Sequence, residues 1–158
     1  MNSPMSLGVA EMSSSDRDVV RAEQELRLIG PEGLIVPLTA AWSYSRKDPY
    51  AVTMSLVTGA DEPVKWTFCR ELLAAALLGP AGIGDVHAWP AAAASAEDGA
   101  GEKILNIMLG SPDGCALFEA VAAGIEEFLG RTYEVVAAGQ ESGYLNIDAG
   151  LAELLTQA

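Results

Sequence analysis

The chain has 158 residues, half of them hydrophobic, with 22 acidic against 9 basic residues and a formal net charge of −13. That length fits one domain of roughly 100–150 residues, and the apolar content excludes disorder over the whole chain. The negative field opposes binding to nucleic acid phosphates or anionic lipid headgroups and suits a basic partner surface, or solubility alone.

In chain order, residues 1–18 are rich in Ser, Met and small side chains and read as a flexible tail, with 19–158 as a single domain. The tail has neither an early Lys or Arg nor an apolar stretch of the signal-peptide kind. No segment approaches the ~20 apolar residues of a membrane helix. The expectation is a cytoplasmic protein without stable membrane insertion.

From Val20 the pattern alternates. Val20, Ala22, Gln24, Leu26 and Leu28 share one face, and Arg21, Glu23, Glu25 and Arg27 the other, which predicts a half-exposed strand. A turn at Gly30-Pro31-Glu32-Gly33 leads to a second strand with Val36, Leu38, Ala40, Trp42 and Tyr44 on one side. Pro37 lacks an N–H, so it belongs at an edge or a bulge. A third strand points Tyr50, Val52, Met54 and Leu56 inward, and a fourth carries Val64, Trp66 and Phe68. Four strands joined by short loops predict an antiparallel meander.

After Phe68 the period changes. Leu72, Leu73, Ala76 and Leu77 have helical spacing, with Gly79-Pro80 as the stop. The stretch Gly79–Gly84 reads as a turn leading to a strand at Asp85–Trp89, and Pro90–Gly101 reads as a mobile loop. A strand at Ile104–Leu109 and one at Cys115–Glu119 flank the turn Ser111-Pro112-Asp113-Gly114. A longer helix carries Val121, Ile125, Phe128 and Leu129 and ends near Gly130. A last helix, capped by Asp148, turns Leu151, Leu154 and Leu155 inward. The fold class is α+β, with antiparallel sheets of about seven or eight strands in a β4-α-β3/4-α-α order.

No catalytic set emerges. His87 is the only histidine, and no GxSxG stands before a helix, so a His-dependent nucleophile has little to work with. Gly79–Gly84 follows a helix and enters a strand, the reverse of a phosphate cradle. Cys69 and Cys115 are far apart, form no CxxC and lie in apolar-alternating stretches; reduced, small core residues are expected. Glu126 and Glu127 belong to a wet helix face. Aromatics are few and lack the basic groove of single-strand binders. No metal and no cofactor are expected.

Several pieces in order resemble a known family. They are Asp48-Pro49-Tyr50-Ala51-Val52, Thr58-Gly59, Val64-x-Trp66-x-Phe68 and Arg70-Glu71-Leu72-Leu73. Then come Gly82-x-Gly84-Asp85-Val86-x-x-Trp89-Pro90, the turn from Leu109 to Gly114, and Phe128-Leu129-Gly130-Arg131-Thr132. Together the set resembles the SsgA-like proteins of actinobacterial sporulation and cell division. The resemblance implies a non-enzymatic protein that helps localise or recruit the tubulin-like protein FtsZ at septum sites, together with other SsgA-like proteins. It further implies a fold similar to the trimeric whirly single-stranded nucleic acid binders, and hence a homo-oligomer, with a trimer favoured. Single-stranded nucleic acid binding on the same fold is the alternative function, which the acidic charge opposes. Asp48, Tyr50, Trp66, Arg70, Asp85 and Trp89 are the candidate oligomer or partner contacts.

Overall fold

The structure, a computed structural model, describes residues 18–57, 61–92 and 102–144. The first meander is β1 (Val19–Ile29), β2 (Ile35–Ser45), β3 (Asp48–Val57) and β4 (Val64–Cys69). Helix α1 (Arg70–Ala76) follows without a linker. The second meander is β5 (Ala81–Ile83), β6 (Val86–Ala92), β7 (Lys103–Ser111) and β8 (Gly114–Val121), and α2 (Ala122–Val135) completes the set. The strands form one eight-stranded antiparallel sheet in the order β4-β3-β2-β1-β8-β7-β6-β5. The expected last helix around Asp148, Leu151, Leu154 and Leu155 lies outside the described residues, as does the predicted N-terminal tail up to residue 17.

Alternation fixes which face becomes the core. Leu26 pairs with Leu38 on one side and Ala120 on the other, and Ala120 with Leu105, so one inward row crosses the join between the meanders. Trp42 packs edge-on to Phe68 at 6.3 Å and lies 6.0 Å from Phe128, which ties the first meander to α2. The inward polar residue of β1 is satisfied: Gln24 donates to the Val121 carbonyl at 2.7 Å and accepts from the Trp42 indole at 3.1 Å. Both bonds help to offset the desolvation of this half-buried amide.

Several sequence expectations need correction. Ala81–Ile83 is a strand paired with Val86–Ala88, where a turn was expected. Strand β6 runs through Pro90 to Ala92, because Pro90 pairs with Leu105 and continues an inward row. Helix α2 passes Gly130 and ends at Val135, since Thr132 and Val136 beyond it are buried. An exposed helical glycine costs only about 1 kcal/mol against alanine, which tertiary packing overrides. Tyr50 is exposed at 46 %, and Pro49 is buried in its place at the start of β3. The register shift at Tyr44/Ser45, and the 2.9 Å bond from the Tyr44 hydroxyl to the Pro49 carbonyl, account for that end. Cys69 and Cys115 are both exposed thiols, not core residues. Cys69 lies one position from the inward Phe68, and period two puts neighbours on opposite faces, while Cys115, beside the β7–β8 turn, is exposed at the wall of an open groove. Pro37 pairs with Arg27 of β1, and among the described residues the pairing of β2 with β3 begins only at Thr39, so Pro37 stands where β2 has one ladder partner.

Candidate functional site

The strand directions sort the connections by end. The β1–β2, β3–β4, β5–β6 and β7–β8 turns all lie at one end of the sheet. At the other end lie the β2–β3 turn and the starts of α1 and α2. The helices pack on the inward face, where Phe128 meets Trp42 and Arg70 meets the end of α2. Towards the hairpin end that face continues as an open groove of about 380 Å³, with Leu28, Leu38, Leu56, Trp66, Leu109 and Phe118 among its walls. Strand β4 and strands β7 and β8 line the same groove, so the sheet curls to bring its two halves face to face.

The candidate contacts separate on this frame. Trp66 is half-buried and walls the groove. Asp85 is exposed in the β5–β6 turn at the rim, and its carbonyl accepts the Gly110 N–H at 2.8 Å. Asp48 and Tyr50 are exposed at the opposite end, beside the β2–β3 turn. Trp89 is half-buried on the outward face of β6, close to His87 and Met108. The structure brings Trp66 and Asp85 to one end of the molecule and leaves Asp48, Tyr50 and Trp89 elsewhere.

Arg70 does not belong among surface contacts. It is 1 % exposed, the first residue of α1, and fills a structural cage. One terminal nitrogen donates to the carbonyls of Thr132 at 3.2 Å and Val136 at 2.8 Å. The other pairs with Glu141 at 2.7 Å. The guanidinium lies over the rings of Tyr133 at 4.4 Å and Tyr44 at 4.9 Å. Burial pushes the Tyr44 phenol up to about 12, against the pull of the nearby Arg70 charge, and raises Tyr133 in the same way. The Arg70 hydrogen bond holds the Glu141 carboxyl below its ordinary value. This cage locks the α1 start, the α2 end and the segment after it to β2. Sequence reasoning missed Tyr133 and Glu141 as its members, because their approach to Arg70 spans more than sixty positions along the chain.

It also missed the groove, whose lining reads as ordinary core in the sequence. The available signal was the chemistry of the hairpin turns. Gly30–Leu34, Gly84-Asp85 and Ser111–Gly114 hold Glu32, Asp85 and Asp113 without a Lys or Arg, and Asp61-Glu62 precede β4. Among the described residues no three His, Cys, Asp or Glu side chains converge in a metal-binding arrangement, and no helix is long and apolar enough to cross a membrane.

The comparisons with known proteins agree with one another. A family profile described as "Streptomyces sporulation and cell division protein, SsgA" matches residues 38–141. The sporulation-specific cell division protein SsgB of Thermobifida fusca is 48 % identical over 145 residues, covering 92 % of this chain and all of that protein. SsgB of Streptomyces coelicolor is 39 % identical over 139 residues, 88 % of this chain and 97 % of its own length. The crystal structure of an SsgA-like sporulation-specific cell division protein from Thermobifida fusca superposes with a TM-score of 0.75 at 48 % identity, covering 90 % of this chain and 98 % of that one. A second structure, from work correlating mutations in SsgB with longitudinal cell division during sporulation of Streptomyces coelicolor, gives 0.73 at 40 % identity, covering 80 % and 94 %. On this evidence the chain belongs to the SsgA family of sporulation and cell division proteins.

Proposed function

We propose that this protein is a non-catalytic adaptor of sporulation-specific cell division, working from the cytoplasm at septum sites and helping to localise or recruit FtsZ with other SsgA-like proteins. The observation that carries the reading is identity of 48 % along the whole length of a sporulation-specific cell division protein. The geometry fits a docking role. A curled sheet held rigid by the Arg70 cage offers aromatic and apolar side chains at separate surfaces, with Tyr50, Trp66 and Trp89 among them. A whirly-like homo-oligomer, a trimer by preference, belongs to the same reading. Among the described residues, strands β4 and β5 end the sheet with unpaired backbone groups that a second copy could cover.

Co-sedimentation with FtsZ polymers tests it, with and without a second SsgA-like protein. The adaptor is expected in the pellet in at least one of these mixtures; its absence from both overturns the reading. Filter binding of single-stranded DNA at low salt tests the nucleic acid alternative, since backbone binding is strongest there. Retention by this protein at low salt would favour that alternative.

A further inference from the structure

We infer that the groove at the hairpin end docks a short amphipathic segment of a partner protein, one that carries Lys or Arg beside its apolar side chains. The first support is the size and lining of the groove. Its volume of about 380 Å³ lies in the range of pockets that hold several apolar groups. Leu28, Leu38 and Trp66, on the inward rows of the core face, are only half-buried where they line the groove, beside the buried Leu56 and Phe118. The apolar surface extends to the rim, where Val64 is 45 % exposed, and Ile83, 63 % exposed, stands at the same end of the sheet. An apolar rim around an apolar trough leaves water against surface that a partner would bury.

The second support is charge. Asp113 lines the groove, and the other hairpin turns at the same end of the sheet hold Glu32, Asp61 with Glu62, and Asp85. The basic groups nearest to them do not offset this set. Arg27 is held by Glu119 at 3.1 Å, and Lys65 is on the outward side of β4. Each carboxylate is exposed, so none costs much alone, but together they make a negative ring around a low-dielectric trough, which concentrates the field there. A basic amphipathic segment satisfies both features, with apolar side chains in the trough and cations on the ring. A second copy of this chain would bring an overall charge of −13 to the ring, and an anionic or purely apolar ligand would leave it unpaired.

The inference rests on the adaptor reading only for the kind of protein that would carry such a segment. The test uses the full chain, labelled for amide NMR, and a short synthetic peptide of Leu and Lys at helical spacing, with a Leu and Gln peptide as its neutral match. Shifts are expected to concentrate on Leu28, Leu38, Leu56, Trp66 and Phe118. The double variant Glu32→Lys with Asp113→Lys should weaken binding at least tenfold, the order expected for charges at a complementary surface. Glu126→Lys with Glu127→Lys makes the same change of charge on the exposed face of α2 and should leave affinity within about twofold. Shifts scattered over the surface, equal weakening by the two double variants, or equal binding of the neutral peptide would each overturn the proposal. So would broadening of the groove signals by raising the concentration of the protein alone, since that places a second copy in the trough. The two readings fail separately. A seated peptide with no FtsZ co-sedimentation removes the adaptor reading and keeps the groove. FtsZ binding with no peptide seating removes the groove alone.

Discussion

At the scale of single residues, the buried Arg70 ties α1 to the end of α2 and to β2. Its guanidinium satisfies two carbonyls and one carboxylate inside a wall of two tyrosine rings. Arg70→Met should lower stability in urea denaturation by about 3 kcal/mol, the lower end for breaking a buried pair, because Glu141 retains some access to water. Arg70→Lys should recover only part of that loss, since an ammonium is a point charge and cannot serve both carbonyls and the carboxylate as a planar fork does. A loss under about 1 kcal/mol for Arg70→Met would show that the cage is not what holds α1 to α2. The same cage sets two pH limits. The Glu141 carboxyl has a depressed folded value, so its contribution is complete above the ordinary glutamate value of 4.5 and disappears as pH falls through the lower folded one. Tyr44 has a raised folded value of about 12 against 10.0. Its contribution is complete below pH 10.0 and is lost as pH climbs towards about 12, because the unfolded chain ionises first. Glu141→Gln should flatten the acid limb of a stability-against-pH curve and Tyr44→Phe the alkaline limb; unchanged limbs would reject these assignments.

At the scale of elements, the edge strand β5 depends on one close approach. A Cβ built on Gly82 would lie 2.3 Å from Nδ1 of His87, its register partner on β6. Gly82 is needed there for space, and its φ is not in the left-handed range. In most strands glycine to alanine is favourable through the unfolded chain. Here Gly82→Ala should cost stability by itself and become neutral or stabilising in a His87→Ala background. A double-mutant cycle followed by thermal unfolding should give a coupling of about 0.5 kcal/mol or more, the scale of contacting pairs. Simple additivity would mean that the imidazole turns away into solvent at no cost. The same strand shows the limit of pattern reading. Three residues, two of them small, carry no period of their own, and β5 exists because β6 offers it a ladder. The long strands β1 to β3 declare themselves by alternation, since each buries one face against many neighbours.

For the whole molecule, the two strand edges and the outward aromatics make self-association the main expectation. Light scattering at micromolar concentration should give a multiple of the monomer mass. Tyr50→Asp or Trp89→Asp should return it to a monomer if that side chain is covered in the contact, because an unpaired charge is expensive to bury. A monomer throughout the micromolar range would remove the oligomer from the proposal. The acidity of the chain is likewise a property of the whole, but its arrangement is not. The carboxylates of the hairpin turns are spread from position 32 to position 113, and only the antiparallel order of the strands gathers them at one end.

The division between what the chain spells out and what folding adds follows from the range of the forces involved. Alternation, helical spacing and turn residues are local, so the sequence by itself determined the first meander, strands β6 to β8 of the second, the presence of the two helices, the lack of a familiar catalytic motif and, through motifs in order, the family. Tertiary structure alone decided that Arg70 is a buried tie and that Cys69 and Cys115 face water. It also decided that Tyr133 and Glu141 meet Arg70, and that part of the inward face is left open as a groove. Those outcomes depend on where a curled sheet closes and where its helices pack on it, and such distances are set by packing between residues far apart along the chain.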